Sequence, residues 1–188
     1  RLVRRKGQDV LIDALARVAV EVPSVRLLVV GDGPDRRRLE RRVRRRRLER
    51  HVIFCGSVPA LELPLHLAAA DVFAMPCRTR LGGLDVEALG AVFLQAAAVG
   101  LPVIAGRSGG APEAVRDGET GLVVDGRSRI DVEAAILRLL RSPAEARRFG
   151  AAGSSWAHDC LTWDARAARL YAILEAATGR ASRHRTPG

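Results

Sequence analysis

The chain has 188 residues, 48% of them hydrophobic and 28% charged, which is typical of one globular domain and excludes an intrinsically disordered chain. Its longest apolar runs stop well short of the roughly 20 residues of a membrane span, and we expect no signal peptide. Three cysteines without a CxxC pair and four histidines without metal-ligand spacing disfavour a disulfide or metal framework. We therefore expect a cytoplasmic protein with no metal site.

Short apolar runs alternate with helical patterns along the chain. In chain order, the patterns predict a helix at 10–20, a strand at 25–31, a helix at 37–48, a strand at 52–55, a helix at 61–70 and a strand at 72–75. They continue with a helix at 89–99, a strand at 102–105, a helix at 112–115, a strand at 122–124, and helices at 130–140, 144–152 and 164–177. The strands are continuously apolar, so both faces of their sheet should be covered. This alternation predicts an α/β fold with a Rossmann-like, doubly wound parallel sheet.

The predicted elements form one domain that spans residues 1–178. Leu2 and Val3 resemble the end of a strand whose beginning lies upstream, so we expect the chain to be an N-terminally truncated fragment. Residues 179–188 are basic and show no periodicity, so we expect them to form a disordered tail.

Most of the net charge of +10 lies in one predicted helix. Residues 35–50 hold ten arginines and three acids, a balance of +7. Leu39, Val43 and Leu48 form a narrow apolar stripe in this segment, which predicts a helix with a solvated basic outer face. The alternative is attraction of that face to an anionic surface, lipid headgroups before nucleic acid. Aromatic residues make up only 4% of the chain, which disfavours a nucleic-acid partner further.

Two glycine-containing turns are candidate anion sites. Arg1 and the only lysine, Lys6, lie five residues apart before a predicted helix, and such a pair of cations suits a diphosphate. Gly31 and Gly33 follow the next strand, but Arg36 stands where a dinucleotide fingerprint requires a third glycine. No GxxxxGK[ST] phosphate loop occurs either, so ordinary NAD and nucleoside-triphosphate sites are disfavoured. Gly33 remains a candidate donor-binding residue, with a simple tight turn as the alternative.

The longest loop carries the third candidate site. It runs MPCRTRLGGLDVEALG from Met75 to Gly90, follows a predicted strand and leads into a helix. Asp85 and Glu87 stand near the helix entrance, where a carboxylate can act as a cap that complements the helix dipole. A sugar-recognition site also uses a carboxylate there, beside free backbone N–H groups.

The chain resembles the C-terminal, nucleotide-sugar-binding half of the retaining GT-B glycosyltransferases of family 4. The segments that carry the resemblance follow in order over about the first 125 positions: RLVRRKG, LLVVGDGPDRRRLE, VIFCGSVP, EALGAVFLQAAAVGLPVIA, SGGAPEAV and DGETGLVV. The loop MPCRTRLGGLDVEALG and the segment RLVRRKGQD are similar to those of actinobacterial GDP-mannose-dependent phosphatidylinositol monomannoside mannosyltransferases. Leu81, Ala88 and Ala91 stand where that loop is commonly different.

The resemblance implies roles for individual residues. Arg1 and Lys6 would neutralise the donor diphosphate, and Glu87 would accept hydrogen bonds from hydroxyls of the transferred sugar. Backbone N–H groups of Leu89, Gly90 and Ala91 would bind that sugar or the diphosphate. The nucleobase would lie near the loop that runs from Phe54 to Val58.

One position departs from the family pattern E-x7-E. The second glutamate of that pattern, which grips the ribose hydroxyls, is Gln95 in this sequence. A neutral amide accepts hydrogen bonds more weakly than a carboxylate, which predicts ~10-fold weaker donor binding. Gln95 is also the one feature that favours a degenerate, noncatalytic relative.

The resemblance implies a hexosyltransferase that moves a mannosyl group from GDP-mannose, with retention, to a lipid-linked acceptor such as a phosphatidylinositol mannoside. It implies no cofactor beyond the nucleotide-sugar substrate, because cationic side chains replace a metal. The partners would be that donor, an anionic phospholipid or glycolipid acceptor on the inner face of the plasma membrane, and an N-terminal GT-B domain. Without that domain, this fragment should be inactive. A noncatalytic module that docks its arginine-rich helix on acidic lipid or nucleic acid is the alternative.

Overall fold

The computed structural model describes residues 1–160 and 162–178. The strands of this part of the chain are β1 (Leu27–Val30), β2 (Val52–Gly56), β3 (Phe73–Met75), β4 (Val103–Gly106) and β5 (Gly121–Val124). The α-helices are α1 (Gln8–Glu21), α2 (Arg36–Arg46), α3 (Leu63–Ala68), α4 (Ala91–Ala98), α5 (Arg129–Arg141), α6 (Pro143–Cys160) and α7 (Trp163–Thr178). None of the helices in these two ranges combines the length and apolarity needed to cross a membrane. The predicted disordered tail, 179–188, lies outside the described residues.

The strands pair in parallel, as predicted, and are distributed over two sheets. β1 pairs with β2, and β4 lies between β3 and β5 in the second sheet. The predicted strand end at Leu2 and Val3 is wrong. The backbone of Leu2 is bonded to the loop after β1, since its N–H donates to the carbonyl of Asp32 at 2.9 Å and its carbonyl accepts from the N–H of Asp35 at 3.2 Å.

Two helix predictions also need correction. The segment predicted as a helix at 112–115 is a four-residue 3-10 turn, Ala111–Ala114. α6 runs to Cys160, eight residues beyond its predicted end, although Gly150 and Gly153 interrupt its sequence pattern. Gly150 serves packing, because a Cβ atom there would lie 2.0 Å from the carbonyl oxygen of Gly100.

Alternate residues of the central strand β4 pack into different cores. Ile104 belongs to a cluster with residues of α1 and α5, whereas Val103 and Ala105 belong to a cluster with Phe93 of α4. Both faces of this sheet are therefore covered by helices, as the continuous apolar strands predicted.

The predicted apolar stripe of α2 forms a third core against the first sheet. Leu39, Val43 and Leu48 are buried together with residues of α1, β1 and β2. On the polar side, Arg42 and Arg46 pair with Asp13 of α1. Arg36 and Arg38 also form ion pairs, with Asp32, Glu40, Asp35 and Asp9. The other four arginines of the helix are exposed and form no ion pair within the described part of the chain: Arg37, Arg41, Arg44 and Arg45.

Asp9 of α1 joins three separate segments electrostatically. Its carboxylate lies 3.2 Å from Nη1 of Arg38 on α2 and 2.9 Å from Nη1 of Arg78, which follows β3. Burial alone would raise the pKa of Asp9, but the hydrogen bonds and charges of Arg78 and Arg38 outweigh it and lower the pKa. The ionised carboxylate therefore stabilises the fold at pH values above its ordinary pKa, and this contribution is lost as the pH falls through the lowered pKa.

We predict that Asp9→Asn lowers the free energy of unfolding by about 3 kcal/mol at pH 7, because it leaves the half-buried guanidinium group of Arg78 without a carboxylate and leaves Arg38 with Asp35 alone. Urea denaturation of both proteins measures the difference. The difference should shrink as the pH falls below about 4, since the wild-type carboxylate then becomes protonated.

Glu49→Gln is the matched control, because Glu49 is exposed and has no ion pair among the described residues. It should change the free energy of unfolding by less than about 0.5 kcal/mol. Equal effects of the two substitutions, or an Asp9→Asn effect independent of pH, would contradict the stabilising role of the ionised Asp9 carboxylate.

Candidate functional site

A tight turn places Lys6 at the carboxyl end of β3. The 3-10 turn Arg4–Lys6 ends at Gly7, whose φ of 74° is in the left-handed region. A Cβ atom at Gly7 would lie 1.9 Å from the carbonyl oxygen of Pro76, so only glycine fits this contact. The turn brings Nζ of Lys6 to 3.5 Å from Sδ of Met75.

The loop between β3 and α4 holds Glu87 in a fixed, buried position. The backbone N–H of Glu87 donates to Oγ of Ser108 at 3.3 Å, and its carbonyl accepts from the N–H of Gly110 at 3.1 Å. Gly109 has a φ of 53°, and a Cβ atom there would lie 1.9 Å from the carbonyl oxygen of Glu87. The segment after β4 therefore clamps the backbone that carries the carboxylate.

Two cations surround the Glu87 carboxylate without forming hydrogen bonds to it. Nε of Arg5 lies 3.5 Å and Nζ of Lys6 lies 3.6 Å from Oε2 of Glu87. Both Oε2 and Nε of Arg5 are buried, and neither has a hydrogen-bond partner among the described residues. Buried polar atoms are rarely left unpaired, so this acceptor and this donor point to a polar ligand.

The N-terminus of α4 adjoins the same carboxylate. α4 begins at Ala91, two residues later than predicted, because Gly90 adopts a left-handed φ of 73°. A Cβ atom at Gly90 would lie 2.5 Å from the ring of Phe93 and 3.5 Å from Cγ of Glu87. Leu89 precedes the helix and is exposed, and so are Ala91 and Gln95, which lie one turn apart on α4. The free N–H groups of the first turn make this end of the helix electropositive.

Arg1 and Gly33 lie beside each other at the end of β1. A Cβ atom at Gly33 would lie 2.5 Å from the carbonyl oxygen of Leu2, and one at Gly31 would lie 3.7 Å from the backbone nitrogen of Arg1. The side chain of Arg1 is exposed and forms no ion pair with a described residue. Its guanidinium group is available to a ligand.

The predicted nucleobase residues lie on the other sheet. Phe54 belongs to β2, and the guanidinium carbon of Arg36 lies 5.8 Å from the centre of its ring. Val58 follows that strand and is half-buried. No hydrogen bond, ion pair or ring contact between described residues joins either side chain to Glu87, so their role stays a prediction.

The sequence interpretation missed Arg5, the Arg80–Asp85 pair and Ser108. Arg5 lies 3.7 Å from Asp85, which also binds Arg80 at 3.1 Å. The adjacency of Arg5 to Lys6 was the only signal for it, and no local pattern reveals that Ser108 contacts a loop 21 residues earlier. Burial raises the pKa of the Cys77 thiol to about 11, so the thiol stays protonated near neutral pH.

Comparison with known proteins identifies the family of this fold and site. The family model described as "Glycosyl transferases group 1" matches residues 1–156. The GDP-mannose-dependent alpha-(1-6)-phosphatidylinositol monomannoside mannosyltransferase of Mycolicibacterium smegmatis is 52% identical over 93% of this chain and 46% of that enzyme. The chain thus spans about half the length of the curated relatives it matches. This relative confirms the resemblance predicted from the sequence.

Solved structures confirm the Rossmann-like α/β fold of a GT-B half. Sucrose-phosphate synthase from Thermosynechococcus elongatus matches with a TM-score of 0.78 and 34% identity, over 93% of this chain and 44% of that one. Anabaena HepE, in complex with UDP-glucose, matches with a TM-score of 0.77 and 26% identity, over 94% of this chain and 47% of that one.

We predict that Gly109→Ala destabilises the protein by about 3 kcal/mol, because the new Cβ atom combines left-handed strain with a collision against the carbonyl of Glu87. Gly118→Ala should cost about 1 kcal/mol, since Gly118 has a φ of 77° but no atom of another described residue lies within 4 Å of its Cβ position. Chemical denaturation of both variants measures the difference, and equal costs would contradict the clamp.

Proposed function

Because this chain belongs to the group 1 glycosyl transferases, we propose that it is the donor-binding domain of a hexosyltransferase that uses a nucleotide sugar. The observation that carries this proposal is the buried Oε2 of Glu87, which lies between Arg5 and Lys6 and accepts no hydrogen bond from a described residue. Such a carboxylate can accept hydrogen bonds from two sugar hydroxyls, while the adjacent cations face a diphosphate.

The charges around Glu87 suit a sugar-nucleotide diphosphate. Three cations (Arg5, Lys6 and Arg80) and two carboxylates (Asp85 and Glu87) leave a local excess of one positive charge. The guanidinium group of Arg1 would add a second, since the backbone nitrogen of this residue interacts with the charges of Lys6 and Glu87. Each phosphate of a sugar nucleotide carries one negative charge, so the donor neutralises this excess. As the glycosidic bond breaks, more negative charge develops on the leaving diphosphate, and Lys6 and Arg1 stabilise it.

The donor we propose is GDP-mannose. The name of the relative that is 52% identical supports this choice, and so does the loop sequence from Met75 to Gly90. We propose that the mannosyl group passes with retention to a phosphatidylinositol mannoside at the inner face of the plasma membrane. A further domain would complete the binding site for this acceptor, and this chain alone would therefore be inactive.

We predict that the chain binds GDP and GDP-mannose and that Lys6→Ala weakens both by about 10-fold or more, because a hydrogen bond between charged groups contributes about 1.5–3 kcal/mol. Isothermal titration calorimetry with GDP, GDP-mannose and UDP-glucose measures the affinities. Preference for GDP-mannose over UDP-glucose is expected.

Arg17→Ala is the control for loss of one positive charge, since Arg17 is exposed and has no ion pair among the described residues. It should leave the affinity for GDP unchanged. Binding that collapses with salt but survives Lys6→Ala would instead support an anion-binding module that uses the exposed face of α2. Failure to bind any nucleotide would refute the donor site.

We predict that Gln95→Glu strengthens GDP binding by about 10-fold, because a carboxylate accepts from the ribose hydroxyls at charge-assisted strength. The gain should be smaller with 2′-deoxy-GDP, which lacks one of the two hydroxyls. Calorimetry on both nucleotides measures it, and an unchanged affinity for GDP would show that Gln95 does not contact the ribose.

A further inference from the structure

A polar cavity opens beside the candidate donor site. It has a volume of about 270 Å³ and is lined by Arg78, Thr79, Arg107, Asp125 and Arg127. These residues follow the carboxyl ends of β3, β4 and β5, so three neighbouring strands of one sheet contribute to it. Arg78 is also part of the Asp9 ion pair, but Arg107, Asp125 and Arg127 belong neither to the proposed donor contacts nor to an ion pair between described residues.

Three guanidinium groups converge in this cavity, and two are held in place. Arg78 is bound to the buried Asp9, with Nη2 2.9 Å from Oδ2. Nη2 of Arg127 donates to the carbonyl of Thr79 at 2.6 Å. Arg107 is exposed, and its side chain has no hydrogen bond or ion pair with any residue that the structure describes.

Asp125 is the one carboxylate among the described residues that line the cavity. Asp125 is exposed, and its Oδ1 accepts a hydrogen bond from the backbone N–H of Arg127 at 2.9 Å, which fixes the turn after β5. Since the carboxylate of Asp9 already neutralises Arg78, the positive charges of Arg107 and Arg127 exceed the negative charge of Asp125. The cavity therefore favours an anion.

The lining determines the chemical class of that anion. Planar guanidinium groups bind phosphate oxygens through paired hydrogen bonds, and the Thr79 hydroxyl adds another donor. Among the described residues, no aromatic or aliphatic side chain lines the cavity, which disfavours an acyl chain as its ligand. Its volume is just below the roughly 300 Å³ at which pockets for drug-sized ligands begin, which suits one phosphate and part of a polyol.

A short hydrogen-bonded path connects the cavity to the proposed sugar site. Oγ1 of Thr79 lies 3.2 Å from Oγ of Ser108, and that Oγ atom accepts from the backbone N–H of Glu87 at 3.3 Å. Only the side chains of Thr79 and Ser108 would therefore separate a phosphate bound in the cavity from Glu87, the residue that we assign to the transferred sugar.

We propose that this cavity binds the phosphodiester of the acceptor headgroup and so positions the acceptor beside the donor sugar. The inference rests on the proposed function for the identity of the reaction, and it adds an acceptor-phosphate subsite within the donor-binding domain. Arg107 and Arg127 are the residues that contact the phosphate, and Arg78, held by Asp9, fixes the position of the segment that lines the cavity after β3.

The test uses the full 188-residue chain and three probes: glycerophosphoinositol, myo-inositol and inorganic phosphate. Titration calorimetry, with chemical-shift perturbation for weak binding, gives each affinity. We expect glycerophosphoinositol to bind at least about 10-fold more tightly than either inorganic phosphate or myo-inositol, since only it carries both the anion and the polyol. The Arg107→Gln/Arg127→Gln double variant should lose at least about 10-fold of that affinity and keep its affinity for GDP.

The Arg17→Gln/Arg147→Gln double variant is the matched control, because both side chains are exposed and form no ion pair among the described residues. It removes the same charge and should bind glycerophosphoinositol like the wild type. Thermal unfolding checks that both double variants are folded.

Several results would overturn the subsite while leaving the donor proposal intact. They are no binding of glycerophosphoinositol to a chain that binds GDP, equal affinity for inorganic phosphate, and equal losses in the two double variants. A loss of GDP affinity in the Arg107→Gln/Arg127→Gln variant would assign the arginines to the donor diphosphate instead. If the wild-type chain does not bind GDP, the proposed function itself is refuted.

Discussion

Helix α1, with the carboxylate of Asp9 near its start, connects the two sheets of this domain. Its residues pack in both directions, since Leu11 belongs to the core of the second sheet and Ile12 to the core of the first. Asp9 adds an electrostatic bridge in the same two directions, to Arg38 of α2 and to Arg78 after β3. Because α1 begins directly after Lys6 and Gly7, the position of this helix also sets the position of the ammonium group in the candidate site.

The chemistry of the site depends on backbone contacts more than on side-chain packing. Glycine at positions 7, 109 and 110 allows three chain segments to approach more closely than any Cβ atom would permit. These contacts hold Lys6 and Glu87 within 3.6 Å of each other while leaving the carboxylate oxygen without a hydrogen bond inside the described chain. The protein thus keeps opposite charges close and partly unsatisfied, a condition that a polar ligand can relieve.

The sequence predicted the elements of the fold well, because buried parallel strands are continuously apolar and amphipathic helices repeat every 3.6 residues. It failed where tertiary contact overrides local preference. The predicted helix at 144–152 stops before Gly153, but α6 continues through this glycine, whose Cβ position lies only 3.4 Å from Cβ of Ala97. Gly90 delays the start of α4 through its left-handed conformation. Division of the strands into two sheets also depends on pairing between distant segments, which single-strand patterns do not encode.

Prediction of the site was uneven for a related physical reason. Lys6 and Glu87 were found because each stands in a recognisable loop, and the structure brings them together. Arg5 and Ser108 were missed because their roles depend on spacing across 82 and 21 residues, which local patterns do not carry. Long-range contacts of this kind become visible only once the carboxyl ends of the strands are aligned at one edge of the sheet.

The segment after β4 has a special position in this arrangement, because it contributes to both polar sites. Ser108 and Gly110 hold the backbone of Glu87, and Arg107, directly before them, lines the arginine cavity. Since Arg107 and Ser108 are consecutive, covalent geometry fixes the backbone of Arg107 relative to Glu87, and the length of its side chain limits how far the guanidinium group can reach. A carboxylate that orients a donor sugar and a cation that holds an acceptor phosphate would therefore stay within a limited range of distances. That constraint would favour acceptors whose reactive hydroxyl and phosphate fit this range, and acceptor selection would then be partly a property of this domain.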